Sequence, residues 1–440
     1  MRINKLTLEN FRKFEHLELD LHPQFTLLVG ENGSGKTSVL DALAISLGIW
    51  LRELAPRNRR KPFMRNGRES DLRRFVRDEG DRKSVEYAKT FRVQAESCVQ
   101  GFSYDWFCHF NPASKQLVFS AESSIERMTI SERILALLRD PETRFPLFAS
   151  YGALNGRFAD SPENYKVVLD GPVWRWAAYE DALGDSIMPT TLKDWFLRET
   201  IAAGARNGRR RPGFEAMKSA VQSCLPDTTD LWFDADLAEI IVERDGLPLP
   251  LSSLAAGYQV MIGIVVDLAI RCIGLNPSLI GIGEEPLRDA AGPRVFQETP
   301  GVVLIDELDL HLHPRWQRRV AADLMRIFPK IQFVATSHSP QIIGELAPEN
   351  IRVLMEDGSV VQPNQSFGLD SNRVLAEIMG AEPRDSRATA IISKIDAALD
   401  ADDLDAAKRA TDELEALVGS DDPEVVKARN ATFFLEGVSE

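Results

Sequence analysis

Cysteine is scarce in this chain of 440 residues: Cys98, Cys108, Cys224 and Cys272 are scattered, and no two of them form a CxxC pair. That spacing suits neither a zinc knuckle nor a disulfide framework and suggests a reducing compartment. No uninterrupted apolar run approaches the roughly 18 residues of a membrane span. The first residues, MRINKLTLENF, contain no apolar signal-peptide core. The expectation is a soluble, cytoplasmic protein without a membrane partner. No fixed-period repeat is present, which argues against a solenoid.

Positive charge is also in deficit. Fifty-two Lys and Arg against 66 Asp and Glu leave a formal net charge of −14, which argues against a general polyanion binder. The charge is uneven, and local sign matters more than the sum. Arg57 to Arg77 (RNRRKPFMRNGRESDLRRFVR) and Arg206 to Gly213 (RNGRRRPG) are locally basic, while Ser393 to Glu440 supplies much of the acid. Each run reads either as a solvated face or as a docking surface, for nucleic-acid phosphates in the basic runs and for a partner in the acidic one.

What is present is enough to bury a core: 44% of residues are hydrophobic and 8% aromatic, in a length suited to roughly two to three domains. INKLTLENF and HLELDL alternate as antiparallel strands, FTLLV reads as a buried strand and SVLDALAISLGIW as the helix after it. Residues 51–250 read as an inserted region, with strands around SVEYAKTFRVQAES and helices such as TLKDWFLRETIAAG. From Leu251 a buried helix is followed by the strand GVVLIDE, the helix PRWQRRVAADLMRIF and the strand IQFVATS, a parallel α/β pattern. The expected division is 1–50 and 251–370 for the two lobes of an α/β domain, 51–250 for the insertion, and 371–440 for an acidic helical module.

Between the third strand and its helix stands GENGSGKTS, in which Gly30, Gly35, Lys36 and Thr37 satisfy GxxxxGK[ST]. In a chain of average composition and this length the pattern arises by chance on the order of once in a hundred sequences. Glycines such as Gly33 let backbone N–H groups wrap phosphates, and Asn32, Ser34 and Ser38 flank the same turn. Lys36 reaches the β/γ oxygens and Thr37 offers its hydroxyl to Mg²⁺. The following helix directs its positive end at the anion. The expected ligand is ATP with Mg²⁺.

GVVLIDE ends a buried strand in two carboxylates. Asp306 is the candidate Mg²⁺ ligand and Glu307 the group that orients and polarises the attacking water. The strand IQFVAT runs into SHSP, and His338 is a candidate γ-phosphate sensor if the two strands are neighbours.

These residues resemble the AAA-family, ABC-type ATPases of the DNA-maintenance branch, which includes the RecF, Rad50 and SMC heads and the OLD-like ATPases. ENFRKFEHLELDL resembles their opening strands, GENGSGKTSVLDAL their Walker A, VVLIDELDLHLHPRWQ their Walker B and D-loop, and FVATSHSP their switch histidine. The resemblance implies an ABC-type P-loop head with the inserted mixed α/β region and the C-terminal helical module. It places Arg12 near the nucleotide and His313 where other ABC enzymes carry the D-loop aspartate. It also implies that Leu254 to Gln259 (LAAGYQ) form an LSxGxQ-like signature facing the γ-phosphate of a second subunit, with Ala255 in the serine position followed by Gly257 and Gln259. No residue stands out as the Q-loop glutamine.

A narrower resemblance is to the PtuA-like ATPases of Septu and retron antiphage systems, carried by PLFASYGALNGRF, by the extended stretch from EEPLRDAAG through the Walker B, and by LDSNRVLAEIMG with the acidic tail. It implies self-association through the ATP site and an HNH-type nuclease partner. A stand-alone DNA-repair ATPase and a slowly hydrolysing, nucleotide-bound scaffold are the alternatives.

Overall fold

Alternation builds the first two strands. In β1 (Arg2–Phe11) Ile3, Leu6, Leu8 and Phe11 are buried, and β2 (Phe14–Asp20) buries Phe14, Leu17 and Leu19. Leu6 and Leu8, opposite Leu19 and Leu17, share one face of a pleated ribbon, and the strands pair antiparallel from Lys5↔Asp20 to Phe11↔Phe14. The computed structural model describes residues 1–54, 65–78, 83–99, 102–121, 143–153, 178–179, 181–184, 189–280, 288–289, 292–382 and 384–438. Residues 57–64 of the first basic run, the end of the YGALNGRF stretch, and residues 284–287 and 290–291 of EEPLRDAAG lie outside these residues.

β3 (Phe25–Val29) is buried throughout and leads through the glycine loop into α1 (Lys36–Leu54). β4 (Arg74–Asp78) and β5 (Lys83–Tyr87) pair antiparallel. β6 (Arg92–Val99), β7 (Phe102–Asn111) and β8 (Gln116–Ala121) continue the first sheet in the order β2-β1-β6-β7-β8. Helix α1 is apolar on nearly every side, as a helix enclosed by structure must be. Trp106 of β7 donates its indole N–H to the Ser46 carbonyl of α1 at 3.0 Å.

β9 (Leu147–Tyr151) is followed by α2 (Pro189–Gly204) and α3 (Pro212–Cys224), and β10 (Thr228–Asp234), β11 (Glu239–Arg244) and β12 (Leu247–Pro250) form an antiparallel meander. Helix α4 (Ala256–Leu275) is, among the described residues, the one long and apolar enough to cross a membrane, yet 67% of that stretch is buried in the protein. β13 (Arg288–Asp289) and β14 (Gly292–Pro293) pair antiparallel before α5 (Arg294–Glu298). β15 (Gly301–Ile305), α6 (Pro314–Ile327), β16 (Ile331–Thr336), α7 (Pro340–Ile343), β17 (Ile351–Leu354) and β18 (Val360–Val361) complete this part.

The second large sheet has the order β18-β17-β3-β16-β15-β9 and is parallel except at β18. Strands covered on both faces read as continuous apolar runs, and β3, β15 and β16 are buried at every position. Buried Gln332 of β16 staples this sheet to the first one: its Oε1 accepts from Ile3 N–H at 2.8 Å and its Nε2 donates to Ile3 O at 2.7 Å. The carboxyl ends of β3, β16 and β15 therefore lie side by side, where ligands of open α/β sheets bind.

Residues Met1–Leu369 form one compact unit and Asp370–Glu440 another. The second contains α8 (Ser371–Glu377), α9 (Ser386–Asp400), α10 (Leu404–Val418) and α11 (Pro423–Val438). Its core includes Ile391, Ile395, Leu414 and Val425.

Candidate nucleotide-binding site

The glycine loop is shaped by steric necessity. Gly30 and Gly35 have φ of +149° and +101°, and a Cβ on them would lie 2.5 Å from the Leu354 carbonyl oxygen and 2.4 Å from the Phe14 ring. Lys36 opens α1 and folds its ammonium over the loop, donating to Gly30 O at 2.8 Å and Glu31 O at 2.9 Å. Burial pulls its pKa below the usual lysine value, opposed by the field of Asp306. Ser34 is 2% exposed and its Oγ has no hydrogen-bond partner.

β15 delivers Asp306 and Glu307 to the same place. Thr37 Oγ1 donates to Asp306 Oδ2 at 3.0 Å, and Thr336 Oγ1 donates to Asp306 Oδ1 at 2.6 Å while accepting from Glu307 N–H at 2.7 Å. Glu307 sits at φ +52°, a conformation that costs a non-glycine residue about 1–3 kcal/mol and is typical of functional sites. β16 runs directly beside β15. His338, just beyond it, donates its amide N–H to Asp309 Oδ1 at 3.2 Å.

A cavity of about 280 Å³ is lined by Arg12, Lys13, Asn32, Gly33, Gly35, Lys36, Thr37, Ser38, Asp306, Glu307, Thr336 and His338. Arg12 is fixed at its edge: its guanidinium meets Asp41 at 2.5 Å and Asp71 at 2.9 Å, with Ser38 Oγ at 3.4 Å. The charge set fits a magnesium nucleotide. A hydroxyl and a carboxylate within hydrogen-bond reach are the hard oxygen donors this ion takes, and the loop adds a lysine, backbone N–H groups and the orphaned Ser34 hydroxyl for the phosphates.

Two lining residues escaped the sequence reading. Lys13 ties its ammonium to Gly33 O at 3.1 Å and Glu356 O at 3.3 Å. Thr336 looks in the sequence like any strand threonine, and only its placement between two strand ends reveals it.

Ala255, Gly257 and Gln259 do not line this cavity. Ala255 is the N-cap residue of α4 and supplies no side-chain cap. Gly257 packs tightly in its own chain, since a Cβ there would lie 2.4 Å from His311 O. Gln259 Nε2 donates back to Leu254 O at 2.7 Å and Ser252 O at 3.1 Å. Tyr258 stands edge-on to Trp316 of α6 at 4.0 Å and donates to Asp227 Oδ2 at 2.6 Å. His313 caps α6, accepting from Arg315 N–H at 3.2 Å. The basic runs are partly neutralised where described: Arg65 meets Asp41, Arg73 meets Glu15, Arg210 meets Asp230 and Arg211 meets Glu199.

A parallel sheet that presents a glycine loop with its lysine, an Asp-Glu strand end and an adjacent histidine to one cavity defines an ABC-type P-loop ATPase head. Residues 5–187 match a family model described as "AAA domain", and residues 157–344 match one described as "AAA domain, putative AbiEii toxin, Type IV TA system". Both matches are to AAA domains, and together they run from residue 5 to residue 344.

Within that class it is similar to the Septu protein PtuA of Bacillus thuringiensis, with 26% identity over 86% of this chain and 84% of the relative. It is also similar to "Retron Ec83 probable ATPase" of Escherichia coli, with 23% identity over 87% of this chain and 77% of the relative. Among solved structures, an SMC head bound to the C-winged helix domain of ScpA matches with a TM-score of 0.47 and 15% identity, over 82% of this chain and 98% of that one.

Proposed function

We propose that this protein binds and hydrolyses Mg-ATP in the cavity, self-associates through it, and uses turnover to control a partner nuclease or nucleic-acid engagement in antiphage defence. The observation that carries the reading is the convergence of Lys36, Thr37, Asp306, Glu307 and His338 on one cavity. Lys36 exchanges its two loop carbonyls for phosphate oxygens. Thr37 and Asp306 hold the magnesium ion, which when bound offsets charge developing on the phosphates. Glu307 orients and polarises the water, and His338 contacts the terminal phosphate. Arg12, held by Asp41 and Asp71, keeps its guanidinium fixed at the cavity edge.

The names of the relatives, a Septu protein and a retron ATPase, support the defence context. The PtuA-like resemblance supports an HNH-type nuclease as the partner, with the signature-like turn facing the nucleotide of a second copy.

The test is ATP turnover and ATP-dependent sedimentation of the full chain, compared with Lys36→Ala and Glu307→Gln, each with and without DNA and the candidate nuclease. Turnover abolished by both changes, with association retained only in Glu307→Gln, supports the reading. Turnover untouched by either change, or wild-type protein that binds no ATP, overturns it. Turnover indifferent to the nuclease but stimulated by DNA favours a stand-alone DNA-repair ATPase.

A further inference from the structure

Helix α4 carries two charged residues, Asp267 and Arg271, and both are turned inward. Arg271 Nε donates to Asp267 Oδ2 at 2.7 Å and its Nη1 to Ala178 O at 2.6 Å. The same carboxylate oxygen accepts the phenol of Tyr151 at 2.7 Å. Asp267 is 6% exposed and Tyr151 is 3% exposed. Stability does not explain this group, because a buried ion pair replaced by apolar residues of similar volume is often neutral or stabilising. A fixed position is what such a group can supply.

What it positions is visible at the other end of Tyr151. This residue ends β9, in register with Ile305 of β15, and its carbonyl accepts the Asp306 N–H at 2.7 Å. Asp306 is in turn bonded to Thr37 and Thr336 through its carboxylate. Hydrogen bonds joined through the covalent frames of Asp306 and Tyr151 thus link the P-loop to Asp267. Asp267 lies about three turns along the helix that opens with the signature-like residues.

We propose that Tyr151 is a positioning residue that couples the nucleotide cavity to the signature turn at the start of α4. A shift of Asp306 on nucleotide binding is carried by the Tyr151 carbonyl and phenol to the helix, so the turn registers the state of its own chain's cavity. The inference rests on the reading that this cavity binds ATP.

The experiment follows amide hydrogen exchange in the full chain with and without a non-hydrolysable ATP analogue. The concentration is one at which the analogue causes no change in sedimenting mass, so that a second copy cannot protect the turn. In the wild type the analogue slows exchange both in the P-loop and across residues 254–262. Tyr151→Phe leaves Asp267 paired with Arg271, so it folds and keeps analogue affinity within about twofold, but the slowing at 254–262 falls at least about fivefold. Asp267→Asn keeps an amide oxygen for the phenol while weakening the ion pair, so it melts earlier and retains the coupled slowing.

A structural role alone would tie loss of coupling to loss of stability, the opposite ranking of the two variants. Should Asp267→Asn fail to fold, Tyr151→Phe decides by itself. Undiminished slowing at 254–262 in Tyr151→Phe overturns the inference, as does wild-type protein that binds the analogue without any change there. Wild-type protein that binds no analogue overturns instead the nucleotide reading on which it rests.

Discussion

Two glycine turns lead into long helices in this molecule, and they use glycine for different reasons. In the Walker A loop Gly30, Gly33 and Gly35 all have positive φ, and a Cβ on Gly33 would meet nothing within 4 Å. There the left-handed backbone conformation is common to all three and aims N–H groups at a ligand, with close approaches to Leu354 O and the Phe14 ring added only at Gly30 and Gly35. In the signature-like turn Gly257 lies inside helix α4, and the missing Cβ makes room for the His311 carbonyl. The polar groups of that turn are occupied locally, Gln259 by Leu254 and Tyr258 by Asp227. A glycine at motif spacing therefore reports a close approach, and the approach can be to the chain's own backbone as well as to phosphate.

The largest effect that can sharpen this contrast is expected on the catalytic side. Glu307→Gln should keep ATP affinity and lower turnover by about 10²–10⁴, the usual worth of a general base. Steady-state phosphate release beside calorimetric binding checks it, and a variant with full turnover would move the base elsewhere. Lys36→Ala should weaken ATP binding by about 10–150-fold, since each hydrogen bond to charged phosphate contributes roughly 1.5–3 kcal/mol. Calorimetry reads the affinity directly, and an unchanged value would remove the loop from the binding site.

Gly257→Ala tests the other turn. The clash is with backbone, which no rotamer change relieves, so about 1–3 kcal/mol of folding stability should be lost while ATP affinity of the chain's own cavity stays put. Urea denaturation and calorimetry on the same sample distinguish this from a phosphate role, in which stability would hold and ATP-dependent association would fail.

Smaller effects are expected at Ala255. A serine there becomes an N-cap and should add about 0.5–2 kcal/mol of stability without nucleotide. If the turn also meets a second copy's phosphate, ATP-dependent association in the Glu307→Gln background should tighten as well, by roughly 1.5–3 kcal/mol before any desolvation loss. Stabilisation without tighter association would reduce Ala255 to a capping position. Ser253→Ala is the weakest change, since Ser253 is exposed and bonded to Pro250 O at 2.7 Å; stability and association should both move by less than about 0.5 kcal/mol.

The residues that reach the cavity from a strand end were the most legible, because each motif carries its own geometry: a buried strand, a turn and a helix in immediate succession. Lys36 and Asp306 could be named on that ground before any strand order was known, whereas His338 depended on β16 lying beside β15. Lys13 and Thr336 could not, since nothing in their neighbours distinguishes them from a surface lysine and a strand threonine. Residues 51–250 read as one insertion, yet β6, β7 and β8 extend the sheet begun by β1, and β9 forms an edge of the parallel sheet. Pairing across tens to hundreds of residues leaves no local signature.

The sequence by itself determined which residue types meet at the candidate nucleotide site and the order of the strands and helices that carry them, because loop glycines, the lysine and the strand-end carboxylates act through short-range geometry. Only the tertiary structure decided that Arg12 is held by Asp41 and Asp71, that Gly257 faces His311, and that Tyr151 joins Asp306 to a buried ion pair in α4. Those outcomes depend on which strands become neighbours and which faces are buried together, a competition settled by burial over the whole chain.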